Sequence, residues 1–226
     1  MPQLCPLLFV PFLMLSAGAL SAQTAAGTIQ ANGNALIHVT PDQAQMSVSV
    51  VTQGATAQEA GQQNSTITGA VIAALKSVIG STGTVQTIGY SVYPRYNAPP
   101  NSSTIAGYTA TNTVQVTTTN LAILGTLIDT ANQAGASSVG GLSFGLQDPE
   151  PAKEQALNKA SQQALAHAAA IAAGLGRKTG SVVSAQEGST YAPVVAGDAG
   201  VAATGTPVQT GTVTVSATVT VTVQVQ

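Results

Sequence analysis

The chain has 226 residues, is 44% hydrophobic, and has only 6% charged residues, with a formal net charge of −2. Six Lys and Arg cannot build the basic surface that a phosphate backbone requires, so nucleic acid is not an expected partner. With so few charges, the exposed surface must be largely Thr, Gln, Ser and Asn, and little repulsion keeps copies apart; self-association is expected.

The first stretch reads as a secretory leader. Leu7 to Leu15 is an apolar run broken only by Pro11, and Ser16 to Ala22 supplies small residues for cleavage near Ala19 or Ala22. No Lys or Arg precedes the run, and it is too short to span a bilayer. Cys5 leaves with the leader, so the exported chain has no thiol and no disulfide. The expectation is a signal peptide at 1–22, a single domain at 23–226, and a periplasmic or secreted location.

Thr28 to Val39 reads as a strand with a weak spot at Asn32-Gly33-Asn34. Pro41-Asp42 is a turn pair, and from Ala44 to Val50 apolar and polar residues alternate, which predicts a hairpin between the two strands. Thr56 and Glu59 have capping-box spacing for a helix to about Ile79, with Ala60, Asn64, Ile67, Val71, Ala74 and Val78 inward and Gly80 as the stop. Strands are predicted at Val85–Tyr93 and Tyr108–Thr119, separated by a loop reaching Asn101. Asn120 caps a shorter helix with Leu121, Leu124, Leu127, Ile128 and Ala131 inward, closed by Gly135. Val139 to Gln147 is another strand, with Leu142, Phe144 and Leu146 inward.

From Asp148 to Gly176 runs the stretch that organises the chain. Asp148 suits an N-cap and Pro149 the first helical position, while Glu150 and Glu154 put negative charge at the positive end of the helix. Ala152, Ala156, Ala160, Ala164 and Ala168, extended by Ile171 and Leu175, keep one smooth face along about seven turns. Such a face fills little volume but lets a helix lie close on a sheet. A strand follows near Ser181–Gln186, then a flexible loop at about 188–207. The last strand, Thr212 to Val225, has Val or Ala at every second position from Val213. The order ββαββαβαββ predicts an α+β fold with a mixed, largely antiparallel sheet packed against long Ala-rich helices. Two strand–helix–strand–strand segments, 44–119 and 139–225, share the same order.

Several ordered pieces carry a family resemblance. They are Asn32-Gly33-Asn34-Ala35 followed by Pro41-Asp42-Gln43-Ala44, Val85 to Val92, Gly107 to Asn112, Gly141-Leu142-Ser143-Phe144, Ala156 to Gly176, and Gly211 to Ser216. In that order the chain resembles the SIMPL-domain (DUF541) family, over roughly Thr28 to Val225. The family includes a periplasmic immunogenic protein and an oxidative-stress defence protein. The resemblance implies an exported bacterial envelope protein, no catalytic residues to carry over, and relatives that assemble into large rings. Ala31 stands where the family often has a second glycine, and Asn120 where it often has an acid.

Chemistry-bearing motifs are weak. Gly141-Leu142-Ser143-Phe144-Gly145 fits the nucleophile-elbow pattern, with Asp148 and His167 in hydrolase order. An elbow needs a sharp turn into a helix at the serine, whereas Phe144 and Leu146 continue a strand and Asp148 is needed as a cap. His38 and His167 are the only histidines, neither with a second ligand at metal spacing, so no metal and no cofactor are expected. Asn64-Ser65-Thr66 and Asn101-Ser102-Ser103 match glycosylation sequons by chance composition. A transmembrane β-barrel, suggested by the last strand, conflicts with long Ala-rich helices and missing aromatic girdles.

The aromatic residues are more informative. Apart from Tyr191 and Phe144, the aromatics beyond the leader are Tyr90, Tyr93, Tyr96 and Tyr108, clustered with Arg95, one of two arginines. Tyr90 and Tyr108 are expected to pack on each other across strands. Tyr93, Arg95 and Tyr96 are expected at an interface, since Tyr and Arg are common anchors. Two functional expectations follow. One is a non-enzymatic envelope protein that self-assembles and supports envelope integrity or oxidative-stress defence. The alternative is a periplasmic binding module that holds a small polar ligand or glycan with the Tyr93–Asn101 loop.

Overall fold

A computed structural model describes residues 27–97, 104–190, 193, 195–196 and 206–226. The proposed leader with Cys5, Ala98 to Ser103 of the tyrosine-rich loop, and most of the 188–207 loop lie outside the described residues. In chain order the elements are β1 (Thr28–Val39), β2 (Gln43–Gly54), α1 (Ala57–Ile79), β3 (Gly83–Tyr96) and β4 (Ile105–Thr118). After a 3-10 turn at Leu121–Ile123 come α2 (Leu124–Gln133), β5 (Ser138–Gly145), α3 (Glu150–Gly174), β6 (Thr179–Glu187), β7 (Val195–Ala196) and β8 (Val213–Val225). The fold is α+β, and the order agrees with the sequence reading apart from the two-residue β7.

The strands form two open sheets rather than one, and every pairing is antiparallel. The three-stranded sheet has the order β1-β8-β6 and the five-stranded sheet β3-β4-β2-β5-β7. The expected β1–β2 hairpin does not form: β1 pairs with β8, while β2 pairs with β4 and β5. The linker Thr40-Pro41-Asp42 explains the switch. Proline fixes the backbone, and Asp42 is tied elsewhere, its N–H donating to the Gly145 carbonyl at 3.2 Å and its Oδ1 accepting from the Gln147 N–H at 2.7 Å. The same-order segments 44–119 and 139–225 diverge here, because the first builds only the five-stranded sheet whereas the second contributes to both.

Each sheet has its own core. Met46, Val48, Val50, Val114, Val116 and Phe144 of the five-stranded sheet pack under Val71, Leu75 and Ile79 of α1 and Leu124 and Leu127 of α2. Val213 to Val221 of β8 and Ile37 of β1 pack under the alanines of α3. Helix α1 is capped as its sequence requires, with Glu59 N–H donating to Thr56 Oγ1 at 3.1 Å and the Glu59 carboxylate accepting from the Thr56 N–H. Its inward line runs Ala60, Asn64, Thr68, Val71, Leu75 and Ile79, turned slightly from the expected one. Asn64 is fully buried, and its Nδ2 donates to the carbonyls of Val50 and Ala110 at 2.9 and 3.1 Å, pinning α1 to β2 and β4 at once.

Helix α3 lies on the three-stranded sheet along Ala152, Ala156, Ala160, Ala164, Ala168 and Ala172, all buried. Its first turn is held by Asp148, whose Oδ1 accepts from the Glu150 N–H at 3.0 Å. Ile171 and Leu175 do not extend this line; they are 44% and 66% exposed. An i, i+4 line continues through Ala172, and Ile171 sits about 100° away from it around the helix. Asn32-Gly33-Asn34 is a docking point rather than a weak spot. A Cβ added at Gly33 would lie 1.9 Å from the Ala160 carbonyl oxygen and 2.5 Å from the Ala164 nitrogen, so helix backbone rests on strand backbone there.

Candidate interaction surface on the edge of the five-stranded sheet

The two sheets treat their first edges differently. Strand β1 is an edge, and Asn32 and Asn34 turn their outward backbone groups away from β8. Helix α3 covers both. Gln163 Oε1 accepts from the Asn34 N–H at 2.7 Å, and His167 Nδ1 donates to the Asn32 carbonyl at 2.8 Å. The asparagine side chains accept from Thr220 and Thr218 hydroxyls on β8 at 2.8 and 3.0 Å. Close docking at Gly33 is what brings Gln163 and His167 within reach. Part of this edge is thereby satisfied internally, as stable proteins do with strands that must not recruit others.

Strand β3 is the opposite case. It is the outer strand of the five-stranded sheet over Gly83–Tyr96, and among the described residues it pairs only with β4. Pro94 lies within it, which an edge strand tolerates because no ladder bond is demanded on the outer side. A bulge between Thr87 and Gly89 leaves Ile88 extra and 53% exposed. Among the described residues no side chain bridges the outer backbone of this strand. Tyr93 and Tyr96 are 67% and 58% exposed. Tyr93 and Arg95 alternate onto one sheet face, and a second bulge separates Arg95 from Tyr96. Arg95 is exposed but leans back: a Cβ at Gly107 would lie 3.2 Å from its Nη2. The β3–β4 connection is closed by Asn97, whose N–H donates to the Thr104 carbonyl at 3.0 Å.

Tyr90 and Tyr108 do not pack across strands. Tyr90 pairs with Asn112 and Tyr108 with Pro94, and Tyr90 is 57% exposed. Register, invisible without the bulge at 87–89, decides this. Away from the helices, the inner strands of the two sheets carry uncharged ladders. On the five-stranded sheet Gln45, Ser47 and Ser49 of β2 stand against Thr117, Gln115 and Thr113 of β4, with Ser49 and Thr113 hydroxyls 2.9 Å apart. On the three-stranded sheet His38 Nδ1 is 3.0 Å from Thr214 Oγ1.

The remaining motif residues are placed in strands, caps and cores. Ser143 lies inside β5 opposite Gln45, in register with the polar face, not on a turn into a helix. His167 is engaged with Asn32 and His38 with Thr214. Glu150 pairs with Lys153 within the first turn of α3. Asn64, in a glycosylation sequon, is buried and hydrogen-bonded, and Asn101 lies outside the described residues. Among the described residues no three His, Cys, Asp or Glu gather as metal ligands, and no helix is long and apolar enough to cross a membrane.

These features define an α+β protein of two helix-backed sheets in which the β3 edge and the outer sheet faces are accessible. The chain belongs to the SIMPL family, described as a protein of unknown function (DUF541), which matches residues 29–223. It is 28% identical over 164 residues to the 26 kDa periplasmic immunogenic protein of Brucella melitensis, a match covering 70% of this chain and 66% of that one. It is also 28% identical over 156 residues to the uncharacterized protein YggE of Escherichia coli K12, covering 69% of this chain and 63% of that one. The chain spans just under two thirds of the length of these relatives. The Brucella relative is named as periplasmic, and neither name carries an enzymatic activity.

Proposed function

We propose that this chain is an exported, non-enzymatic protein of the bacterial envelope that self-assembles through the β3 edge, with Tyr93, Arg95 and Tyr96 at the contact. Residues 1–22 act as a cleaved leader and 23–226 as one domain, and assembly serves envelope integrity or oxidative-stress defence. The observation that carries this reading is the contrast of edges. The fourteen residues of β3 offer unpaired backbone beside exposed tyrosines, while β1 is capped by Gln163 and His167. Unpaired edge backbone recruits another strand, and tyrosine adds rigid contact area at low entropic cost. The near-neutral surface adds little repulsion between copies. The periplasmic name of the Brucella relative supports the location.

Light scattering on residues 23–226 tests the proposal. An oligomer at micromolar concentration is expected, and Tyr93→Ser with Tyr96→Ser together should return it toward monomer. A strict monomer in the unaltered protein would contradict assembly.

A further inference from the structure

A second feature of the β3 side lies on the helix-facing surface, away from Tyr93 and Arg95. Between α1 and β3 is an open cleft of about 410 Å³ lined by Ser65, Thr68, Gly69 and Ile72 of α1, Tyr90 of β3 and Asn112 of β4. It exists because α1 is pinned over β2 and β4 by Asn64, leaving the outer strand incompletely covered. Tyr90 forms one wall. Its hydroxyl reaches back to α1, where a Cβ at Gly61 would lie 3.1 Å from the Oη. At Gly69 an added Cβ would meet nothing within 4 Å, so the opposite side is open.

Asn112 makes this cleft unusual. Its Oδ1 is buried with no hydrogen-bond partner, alone in that respect among the described residues. No hydrogen bond holds the amide in place. A half turn about its last torsion exchanges nitrogen and oxygen, which lets the acceptor face the cleft. Among the described residues the Ser65 hydroxyl has no side-chain partner either, whereas the Thr68 hydroxyl donates to Asn64 Oδ1 at 3.3 Å.

We infer that this cleft binds a neutral 2-acetamido sugar, with the pyranose ring on Tyr90 and the acetamido group over Asn112 and Ile72. Each part of the lining selects for that chemistry. No charged side chain lines the cleft, which disfavours an ionic ligand. The exposed tyrosine face suits the C–H face of a sugar ring. The unpaired amide oxygen takes the acetamido N–H, the Ser65 hydroxyl donates to the acetamido carbonyl, and Ile72 covers the methyl. One aromatic wall and a few convergent polar groups are the usual make-up of a small-molecule site. This site is separate from the proposed assembly contact.

The test is titration of the full exported chain with triacetylchitotriose, using cellotriose as the sugar without acetamido groups. Five tyrosines and no tryptophan make tyrosine emission and amide NMR shifts readable signals. Binding with a dissociation constant of about a millimolar or better is expected, as an open one-sided site allows. Cellotriose should bind about tenfold more weakly or not at all. Tyr90→Ala and, separately, Asn112→Ala should each weaken triacetylchitotriose by about tenfold. Asn112→Ala should leave the melting temperature unchanged or raised, because it removes an unpaired group, so lost binding with lost folding is not the expected result. Tyr93→Ser with Tyr96→Ser should alter assembly and spare sugar binding. Equal affinity for both sugars, no shift with either, or Tyr90→Ala that dissolves the oligomer without touching sugar affinity would each overturn the inference.

Discussion

The two helices that lie on sheets are held by opposite means. Helix α3 docks by the absence of side chains, with six alanines on its buried line and Gly33 beneath it, so backbone meets backbone. Helix α1 docks by bulk, with Val71, Leu75 and Ile79 over a core of valines, Met46 and Phe144, and by one buried amide that bonds two strands. The close contact places Gln163 and His167 over the β1 edge. The bulkier contact, centred over β2 and β4, leaves β3 with an uncovered edge and a cleft behind it. A single difference in packing distance thus separates the partly covered edge at β1 from the accessible one at β3.

The largest effect is expected where backbones touch. Gly33→Val must displace α3 from the strand, and we expect a loss of about 3 kcal/mol or more, read as a drop in the urea midpoint. Gly69→Val is the contrasting control: it faces open space, and only the helix propensity changes. Next comes Asn64→Ala, which leaves a gap and frees two carbonyls at the α1 contact; a loss of about 2–3 kcal/mol in the same measurement is expected.

A smaller effect is expected from unsealing β1. Gln163→Ala with His167→Ala removes two bonds worth about 0.5–1.5 kcal/mol each and exposes the Asn34 N–H and Asn32 carbonyl. Size-exclusion chromatography should then show extra, larger species that the unaltered protein lacks. If the profile does not change, the two side chains do not seal the edge. The smallest effect concerns Lys153→Ala. Its pair with Glu150 is exposed, and a change below about 0.5 kcal/mol is expected.

What could be read from the sequence was local. Thr56 with Glu59 and Asn120 announce helix starts because a cap is a contact between residues two or three apart, whereas α3 begins one residue later than Asp148 suggested, with Pro149 at the cap position and Glu150 first in the helix. The alternation of β8 and the alanine line of α3 likewise depend only on spacing. Strand partners did not show. Alternation says that Ala44 to Val50 bury one face, but nothing in it says that β1 joins β8 at the far end of the chain. The bulge at Thr87–Gly89, which moves Tyr90 opposite Asn112, has no residue signal beyond one glycine. For the candidate surface, composition marked Tyr93, Arg95 and Tyr96 but missed Asn112 and Ser65, ordinary polar residues made notable only by tertiary placement. Asn32-Gly33-Asn34 read as a flaw because a glycine between asparagines has low strand propensity; the structure shows what that glycine admits.

Hydrogen exchange of backbone amides, followed as protein concentration rises, bears most directly on the contrast between the two edges. The outward amides of Gly83–Tyr96 should become more protected as copies associate, while the Asn34 amide, already bonded to Gln163, should exchange at a constant slow rate. Concentration-independent exchange along β3, or protection that grows at β1 instead, would contradict the account.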